Sequence, residues 1–354
     1  EIAGNRGWPA VSKGRSLKQG MQEARVAELR KRLLVTEDLR AENTKASDLF
    51  DEGLYEAVVR FQKRHGLTTD GVVGTGTLKM LNVPVEERIR QIEVNLERLR
   101  LTPKDPGSRF ITVNIASFEL EVSEEGDAVM AMKVIVGKPY MNTPLFSEKM
   151  KYIVLNPSWY VPNSIAVKEI LSNIKKDPAY LSNEGFKVYI KGKGYRREAD
   201  ISAAALAGLP EENFQYQFVQ VPGTKNPLGK VKFVFPNKHN VYLHDTPSKL
   251  LFERSNRAFS HGCIRIEKPL ELAEYLLRGN PSWSRERLLA AIDTGKELKI
   301  QLPAPVNVHI QYLTSWVDTN NVLHFRKDIY ERDGPSEKTL MKKPTPAHHD
   351  DLRQ

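Results

Sequence analysis

The stretch Val241–Pro269, VYLHDTPSKLLFERSNRAFSHGCIRIEKP, holds the one cysteine of a 354-residue chain. Cys263 follows Gly262 and precedes Ile264, with His261 just before the glycine and His244 further upstream. Alternate side chains of an extended strand share a face. Read that way, NVYLHD turns Val241 and Leu243 toward a core and Tyr242 and His244 away from it. SHGCIRIE sends Ile264 and Ile266 inward, and His261, Cys263 and Arg265 outward together. If the two strands are neighbours, a thiol, two imidazoles, a phenol and a guanidinium converge.

That set suits acyl transfer by a thiolate. The thiol must lose its proton near neutral pH from a pKa of about 8.5, and a nearby imidazolium lowers that value. The base must also return a proton to a leaving amine. A glycine just before the nucleophile lets the backbone N–H groups approach an oxyanion, and Tyr242 could donate a further hydrogen bond. Two other uses of a lone cysteine stay open here: a buried apolar filler and a metal ligand. The flanking isoleucines claim the core face, which speaks against the filler. His239, His244, His261 and Cys263 could be assembled as ligands, but His261 and Cys263 are only two positions apart. No metal or other cofactor is expected. One cysteine also excludes an internal disulfide framework and any multi-cysteine zinc or iron–sulfur site.

The length predicts two or three domains, and 40% hydrophobic with 27% charged residues is ordinary for a globular protein. No run of about 18 apolar residues occurs, so no transmembrane segment is expected. The net charge of +9, from 53 basic and 44 acidic residues, suits an anionic partner or matrix. The basic residues are scattered among acids and no zinc-finger or RNP-like motif is present, so nucleic acid is not expected as a partner. The opening EIAGNRGWPAVSKG lacks the charged-then-apolar pattern of a signal peptide. Glu1 is not a natural start, so any leader is expected upstream of it.

The periodicities predict a multidomain α+β chain. Residues 1–83 read as a small helical module, N-terminally truncated: VAELRKRLL spaces Val26, Leu29 and Leu33 helically, and LYEAVVRFQKRHGL puts Leu54, Val58 and Phe61 on one stripe ending at Gly66. Asp70-Gly71 reads as a turn, and Thr75 or Thr77 as the cap of a last short helix. Residues 84–108 read as a connecting helix and linker, with Ile89, Ile92, Leu96 and Leu99 as one apolar stripe on a charged helix. From Phe110 the period becomes two, and 109–303 reads as a β-rich domain with a mixed, partly helical insertion at about 160–218. Trp159 and Tyr160 stand at the root of that insertion, where Trp159 could line a cleft or simply pack. Residues 304–354 read as a closing strand pair, VNVHIQYLTSWVD with VLHFRKDIY, and a polar tail.

The histidine, spacer and contiguous SHGCIR resemble the signature of the L,D-transpeptidases (YkuD-type catalytic domain), in which Ser/Thr-His-Gly-Cys is followed by a hydrophobic residue and Asn. Separately, AVVRFQKRHGLTTDGVVGTGTLKMLNV resembles the peptidoglycan-binding domain. The order of the two is similar to the large Gram-negative periplasmic L,D-transpeptidases. The resemblance implies Cys263 as nucleophile and His244 as general base. It implies Gly262 and Cys263 N–H groups as an oxyanion hole, and His261, Ser260 and Tyr242 as shapers of the site. Arg265 departs from the pattern by standing in place of Asn. It donates and cannot accept, so it could bind a substrate carboxylate or pair with Glu267. Asp245 could orient His244 through its backbone carbonyl.

The implied reaction is peptidoglycan 3→3 cross-linking through a cysteine acyl-enzyme. Cys263 attacks the carbonyl of the third residue of a donor tetrapeptide stem, D-alanine leaves, and the side-chain amine of an acceptor stem takes the acyl group. On the same fold the alternatives are an L,D-carboxypeptidase, with water as acceptor, or a hydrolase that detaches proteins from the wall. A non-enzymatic wall anchor would use the helical module alone. The resemblance further implies covalent inhibition by carbapenem-type β-lactams, a periplasmic location, a part in cell-wall building and cell shape, and a lid role for the insertion.

Overall fold

Leu54, Val58 and Phe61, spaced to share one helix face, are sealed from solvent in the computed structural model of the chain. The structure describes residues 2–5, 7–40, 47–102, 105–191, 196–209 and 214–334. The polar tail from 335 onward lies outside the described residues, as do parts of the linker and of the insertion. The chain divides into two compact units. One comprises Glu1–Asp105, Asn114–Ser117 and Tyr312–Gln354, the other Pro106–Val113 and Phe118–Gln311.

In the first unit, helices α1 (Ala24–Val35), α2 (Glu52–Arg64) and α3 (Thr75–Leu81) enclose Val26, Leu29, Leu33, Phe50, Leu54, Phe61 and Leu81. Asp51 starts α2 by accepting the Leu54 N–H at 2.9 Å, satisfying one of the orphan donors of a first turn. Gln62 ties the module together from inside. Its Nε2 donates to Asp70 Oδ1, Val72 O and Thr77 Oγ1, and its Oε1 accepts from Gly71 N–H. The FQ and DG pairs of the sequence are thus two ends of one buried polar network. Thr75 begins α3 without capping it, because Gly74 stands at the cap, and Thr77 faces inward instead.

The second unit is built on a nine-stranded sheet among the described residues, from β1 (Arg109–Asn114), β2 (Glu119–Glu124), β3 (Asp127–Gly137), β4 (Phe146–Leu155), β9 (Val231–Val234), β10 (Leu243–His244), β11 (Ala258–Ser260), β12 (Ile264–Ile266) and β13 (Leu298–Gln311). The order is β11-β3-β12-β10-β9-β4-β13-β1-β2, and β2 also pairs with β3, so eight of the strands form a closed ring. Closure leaves few edges to template aggregation. Strands β10 and β12 are parallel. The closing strand does not end near Pro303 as its sequence suggests. It runs on to Gln311 against β4, with an irregularity between Gln301 and Val306 where Pro303 and Pro305 cannot donate to a ladder. Helices α9 (Pro269–Leu277) and α10 (Arg285–Asp293) follow β12, burying Leu272, Leu276 and Leu288.

The insertion folds on its own core. Strands β5 (Trp159–Tyr160), β6 (Phe186–Lys191), β7 (Arg196–Glu198) and β8 (Tyr216–Gln220) form a sheet in the order β5-β8-β6-β7. Helices α5 (Asn163–Ile165), α6 (Leu171–Lys176), α7 (Tyr180–Asn183) and α8 (Ala203–Ala207) belong to the same segment. A π-turn, Ala166–Ile170, joins α5 to α6. Val161, Ile165, Ile170, Ile174, Leu206 and Phe218 are packed together beneath.

The helix α4 (Val85–Arg100) and the hairpin β14 (Ser315–Val317) with β15 (Leu323–Phe325) complete the first unit. Here the apolar stripe read from the sequence faces outward: Ile89, Leu96 and Leu99 are exposed, and Val85, Arg88, Val94 and Asn95 are buried. The polar face has the better partners. Asn95 and Thr314 exchange two hydrogen bonds, 2.7 and 2.8 Å. Gln91 Nε2 donates to Thr314 O and Arg326 O, and the Arg88 guanidinium lies 4.5 Å over the Phe325 ring. Among the described residues, no helix is long and apolar enough to cross a membrane.

Candidate active site

The strand that carries His244, β10, and the strand that begins just after Cys263, β12, are hydrogen-bonded neighbours. Leu243 lies opposite Ile264 and His244 opposite Arg265. Leu243, Ile264 and Ile266 are buried in the core. Tyr242, His244, Ser260, His261, Cys263 and Arg265 all line one cavity of about 320 Å³, together with Trp159, Lys168 and Glu169 of the insertion and its approach. The strand residues therefore lie on the faces that alternation assigns to them.

His261 reaches the cavity by a different route. SHGCIRIE is not one strand, because β11 ends at Ser260 and β12 begins at Ile264. Gly262 has φ +113°, a region that side chains disfavour, and the pleat is interrupted there. His261 thus projects from a turn rather than from a strand face. It is held from the far side, with its Nε2 2.6 Å from Glu169 Oε1. The turn is clamped by two hydroxyls that nothing in the local pattern singles out for this task. Ser260 Oγ accepts from Gly262 N–H at 3.1 Å and donates to Cys263 O at 2.5 Å. Thr143 Oγ1 accepts from Gly137 N–H at 3.0 Å and donates to Gly262 O at 2.8 Å. The Gly262 N–H is thus turned onto Ser260 rather than into the cavity.

His244 is almost fully buried, with 4% of its surface exposed. Its Nδ1 lies 2.6 Å from the Asp245 carbonyl. A nitrogen facing a carbonyl must carry the proton, so Nε2 holds the lone pair. Asp245 itself is anchored elsewhere. Its carboxylate accepts from Lys230 N–H (2.8 Å) and Lys249 Nζ (2.5 Å). That approach requires Gly229, where a Cβ would lie 2.3 Å from Asp245 Oδ2. Burial, with the Arg265 charge second, pushes the imidazole down to about 3 against the pull of the Asp245 and Pro227 carbonyls.

The half-buried thiol of Cys263 is shifted the other way. Burial raises it, and Tyr242, Lys232 and Arg265 partly oppose that. At rest the pair is a neutral thiol and a neutral imidazole, not the ion pair that a nearby imidazolium would create. Among the described residues Sγ lies 3.8 Å from Asn240 O and is hydrogen-bonded to the backbone and hydroxyl of Tyr242, with no such bond to the His244 ring. The Tyr242 ring lies 5.6 Å from that of His244.

Two cations complete the site. Lys232, opposite His244 on β9, places Nζ 3.8 Å over the Tyr242 ring, and burial lowers its pKa. Sequence reasoning missed Lys232, although the alternation of KVKFV points it to that face. Arg265 makes no ion pair with Glu267, which accepts from Lys133 N–H and pairs with Lys133 Nζ at 3.7 Å. The buried Nε of Arg265 has no partner among the described residues. Trp159 lines the cavity and also packs 6.2 Å from Phe186, so both of its possible uses coexist. His239 lies against Phe146, with ring centroids 5.2 Å apart.

Residues 108–283 match the family model of the L,D-transpeptidase catalytic domain. The chain carries an L,D-transpeptidase catalytic domain. Residues 22–81 match a second model, described as "Putative peptidoglycan binding domain". A curated relative from Haemophilus influenzae, described as "Putative L,D-transpeptidase", is 31% identical over 244 residues. That alignment covers 69% of this chain and 48% of the relative, so the chain spans about half the length of the curated relative it matches. Among solved structures, the L,D-transpeptidase of Stackebrandtia nassauensis is 15% identical, with 86% of this chain and 96% of that one covered at a TM-score of 0.31. L,D-transpeptidase 3 of Mycobacterium tuberculosis, solved with a faropenem-derived adduct, is 13% identical, with 58% and 60% covered at 0.27. The L,D-transpeptidase domain and the helical module that precedes it confirm the multidomain α+β reading.

Proposed function

We propose that the chain is a peptidoglycan L,D-transpeptidase that forms 3→3 cross-links, with Cys263 as nucleophile and His244 as general base. The observation that carries this reading is a carbonyl-locked imidazole on β10 and a half-buried thiol at the start of the parallel neighbour β12, both lining one cavity. The carboxylate of a donor tetrapeptide pairs with Arg265, whose buried Nε otherwise lacks a partner. His244 Nε2 takes the thiol proton as Sγ attacks the carbonyl carbon of the third stem residue. In a resting site such hydrogen bonds are often long and tighten only around substrate. The Cys263 N–H and the Tyr242 hydroxyl hold the oxyanion, with Lys232 and Arg265 as the nearby positive charges. His244 returns the proton to the amine of departing D-alanine, leaving a thioester. The side-chain amine of an acceptor stem then attacks that thioester.

The helical module binds the peptidoglycan matrix, the insertion covers the cleft, and the enzyme works in the periplasm on wall shape. Carbapenem-type β-lactams acylate the same sulfur. The test is intact mass after carbapenem exposure, with products from tetrapeptide stems read by mass spectrometry. Wild type gains one inhibitor mass and releases dimers; Cys263→Ala does neither. Labelling of Cys263→Ala to the wild-type extent would overturn the assignment. Tripeptide without dimer would make the enzyme a carboxypeptidase instead.

A further inference from the structure

The cavity is unequally charged. Arg265 and Lys168 suit the carboxylate end of a donor stem, and Glu169 is the one carboxylate among its described lining residues. Glu169 does not come from the sheet that carries the thiol. It is delivered by the inserted segment, on the π-turn Ala166–Ile170, whose Ala166 and Ile170 are buried in the insertion's own core. A π-turn inside a helix is rare, and such turns recur at functional sites. Glu169 Oε1 lies 2.6 Å from His261 Nε2, while the carboxylate stays about half exposed. An Nε2–H directed at a carboxylate leaves the lone pair on Nδ1, and Nδ1 has no hydrogen bond among the described residues. His261 is two positions from Cys263. A carboxylate–imidazole pair therefore stands beside the nucleophile, separate from the pair formed by His244 and the Asp245 carbonyl.

We propose that Glu169 and His261 form the subsite for the acceptor's primary amine. This rests on the reading of Cys263 as the acylated residue. The acceptor amine arrives as an ammonium, with a pKa of about 10.4, and cannot attack until it loses a proton. The Glu169 carboxylate draws it in. His261 Nδ1 accepts one proton, and the resulting imidazolium is stabilised by Glu169 until it releases the proton to solvent. The freed nitrogen lone pair attacks the thioester carbon. A C–N bond forms and the C–S bond breaks. The second amine proton passes to His244 Nε2 and from there to the departing sulfur, restoring the thiol. Water needs no such subsite, so this pair sets the preference for cross-linking over hydrolysis.

The test uses the full chain with a tetrapeptide donor and a stem bearing a side-chain amine as acceptor. Dimer and tripeptide are counted per acylation event, with carbapenem labelling as the measure of acylation. In Glu169→Gln, dimer formation per acylation event falls about tenfold or more, and the acceptor KM rises while the donor KM does not. Glu169→Asp recovers part of the loss. Hydroxylamine, an amine uncharged at neutral pH, serves as a second acceptor. Its capture of the acyl group per acylation event is the same in Glu169→Gln as in wild type, which a merely distorted site would not allow. An unchanged dimer-to-tripeptide ratio overturns the proposal, and so does an equal loss of dimer and hydroxylamine capture. If wild type acylates but forms no dimer, the cross-linking reading and this subsite fall together. If wild type takes up no carbapenem, the fault lies with the Cys263 assignment.

Discussion

Two histidines, one in each compact unit, share the same local chemistry. His65, at the end of α2, is buried with Nδ1 2.8 Å from the Phe61 carbonyl. His244 is buried with Nδ1 2.6 Å from the Asp245 carbonyl. Burial is the first cause that lowers both, and neighbouring arginines add to it. The difference is in what the rings face. His65 borders a cavity as well, but its ring is stacked at 3.8 Å on Phe61 and at 5.5 Å on Phe325, and that cavity has no thiol among its described lining residues. His244 opens to a cavity shared with a thiol and a guanidinium whose Nε has no partner among the described residues. A buried imidazole stacked on aromatic rings, with no nucleophile beside it, belongs to the packing. One that borders a cavity beside a thiol and an unsatisfied guanidinium is placed for chemistry.

The largest effect should separate these two rings. His244→Ala removes the proposed base and should lower the carbapenem acylation rate of Cys263 by about 10³-fold, the range for a positioned general base, with little change in folding. His65→Ala empties a stacked aromatic slot and should cost about 3 kcal/mol of stability, while acylation per folded molecule stays near wild type. Stopped labelling followed by intact mass gives the first number, and denaturant unfolding gives the second. If His65→Ala slowed acylation as much as His244→Ala, the neighbouring thiol would not distinguish structural from chemical imidazoles here.

The pH response sharpens the same contrast at a smaller scale. An unfolded histidine titrates near 6.5, and His244 in the fold titrates only at about 3. Above pH 6.5 the ring is neutral in both states and stability is fully present. As pH falls from 6.5 toward 3 the unfolded chain binds a proton that the folded chain refuses, so stability is lost, by up to about 1.4 kcal/mol per pH unit for each such ring. His65, shifted in the same direction, adds to that slope. His244→Gln should flatten the acid side of the stability curve by one histidine's share. Catalysis should behave differently from stability. With the neutral ring as the proposed base, carbapenem acylation should show no fall as pH drops through 6.5, and its acid limb should lie well below pH 5. A half-maximal rate near 6.5 would mean that substrate-free His244 is solvated and basic.

What the sequence discloses follows from range. The alternation of Val241, Leu243, Ile264 and Ile266 reports burial on one face, and burial is a local demand that each strand must meet by itself. Hence the outward faces of Tyr242, His244, Cys263 and Arg265 are legible from the order of residues alone, whereas the pairing of β10 with β12 that brings them together is not. The turn at Gly262 is less so, because a positive φ is compatible with a glycine but not required by it, and the strand pattern runs straight through. Ser260 and Thr143 clamp that turn by hydrogen bonds that carry no periodicity. Glu169 is the hardest to foresee. It reaches His261 only because a separately folded insertion sets a π-turn over the cleft, and no pattern in VKEIL announces that. Gln62 and Asp70 lie in between: the turn at Asp70-Gly71 is readable, but the network that makes it obligatory is not.

The smallest effect concerns α4, where reading by hydrophobicity alone goes astray. Its leucines and isoleucines repeat as a seam, yet Leu96 is 51% exposed while Asn95, next to it, is 1% exposed. The loop at Thr314 offers a carbonyl, a hydroxyl and an N–H that must be satisfied when buried, and Asn95 and Gln91 satisfy them. An apolar face could not. Leu96→Gln should therefore change the stability of the chain by no more than about 0.5 kcal/mol. Asn95→Ala, on the same turn of the same helix, leaves the buried Thr314 N–H without its acceptor and should cost about 2 kcal/mol. Both are read by denaturant unfolding. The reverse order, with the leucine costly and the asparagine cheap, would mean that the exposed stripe is covered in solution and that the polar face is the idle one.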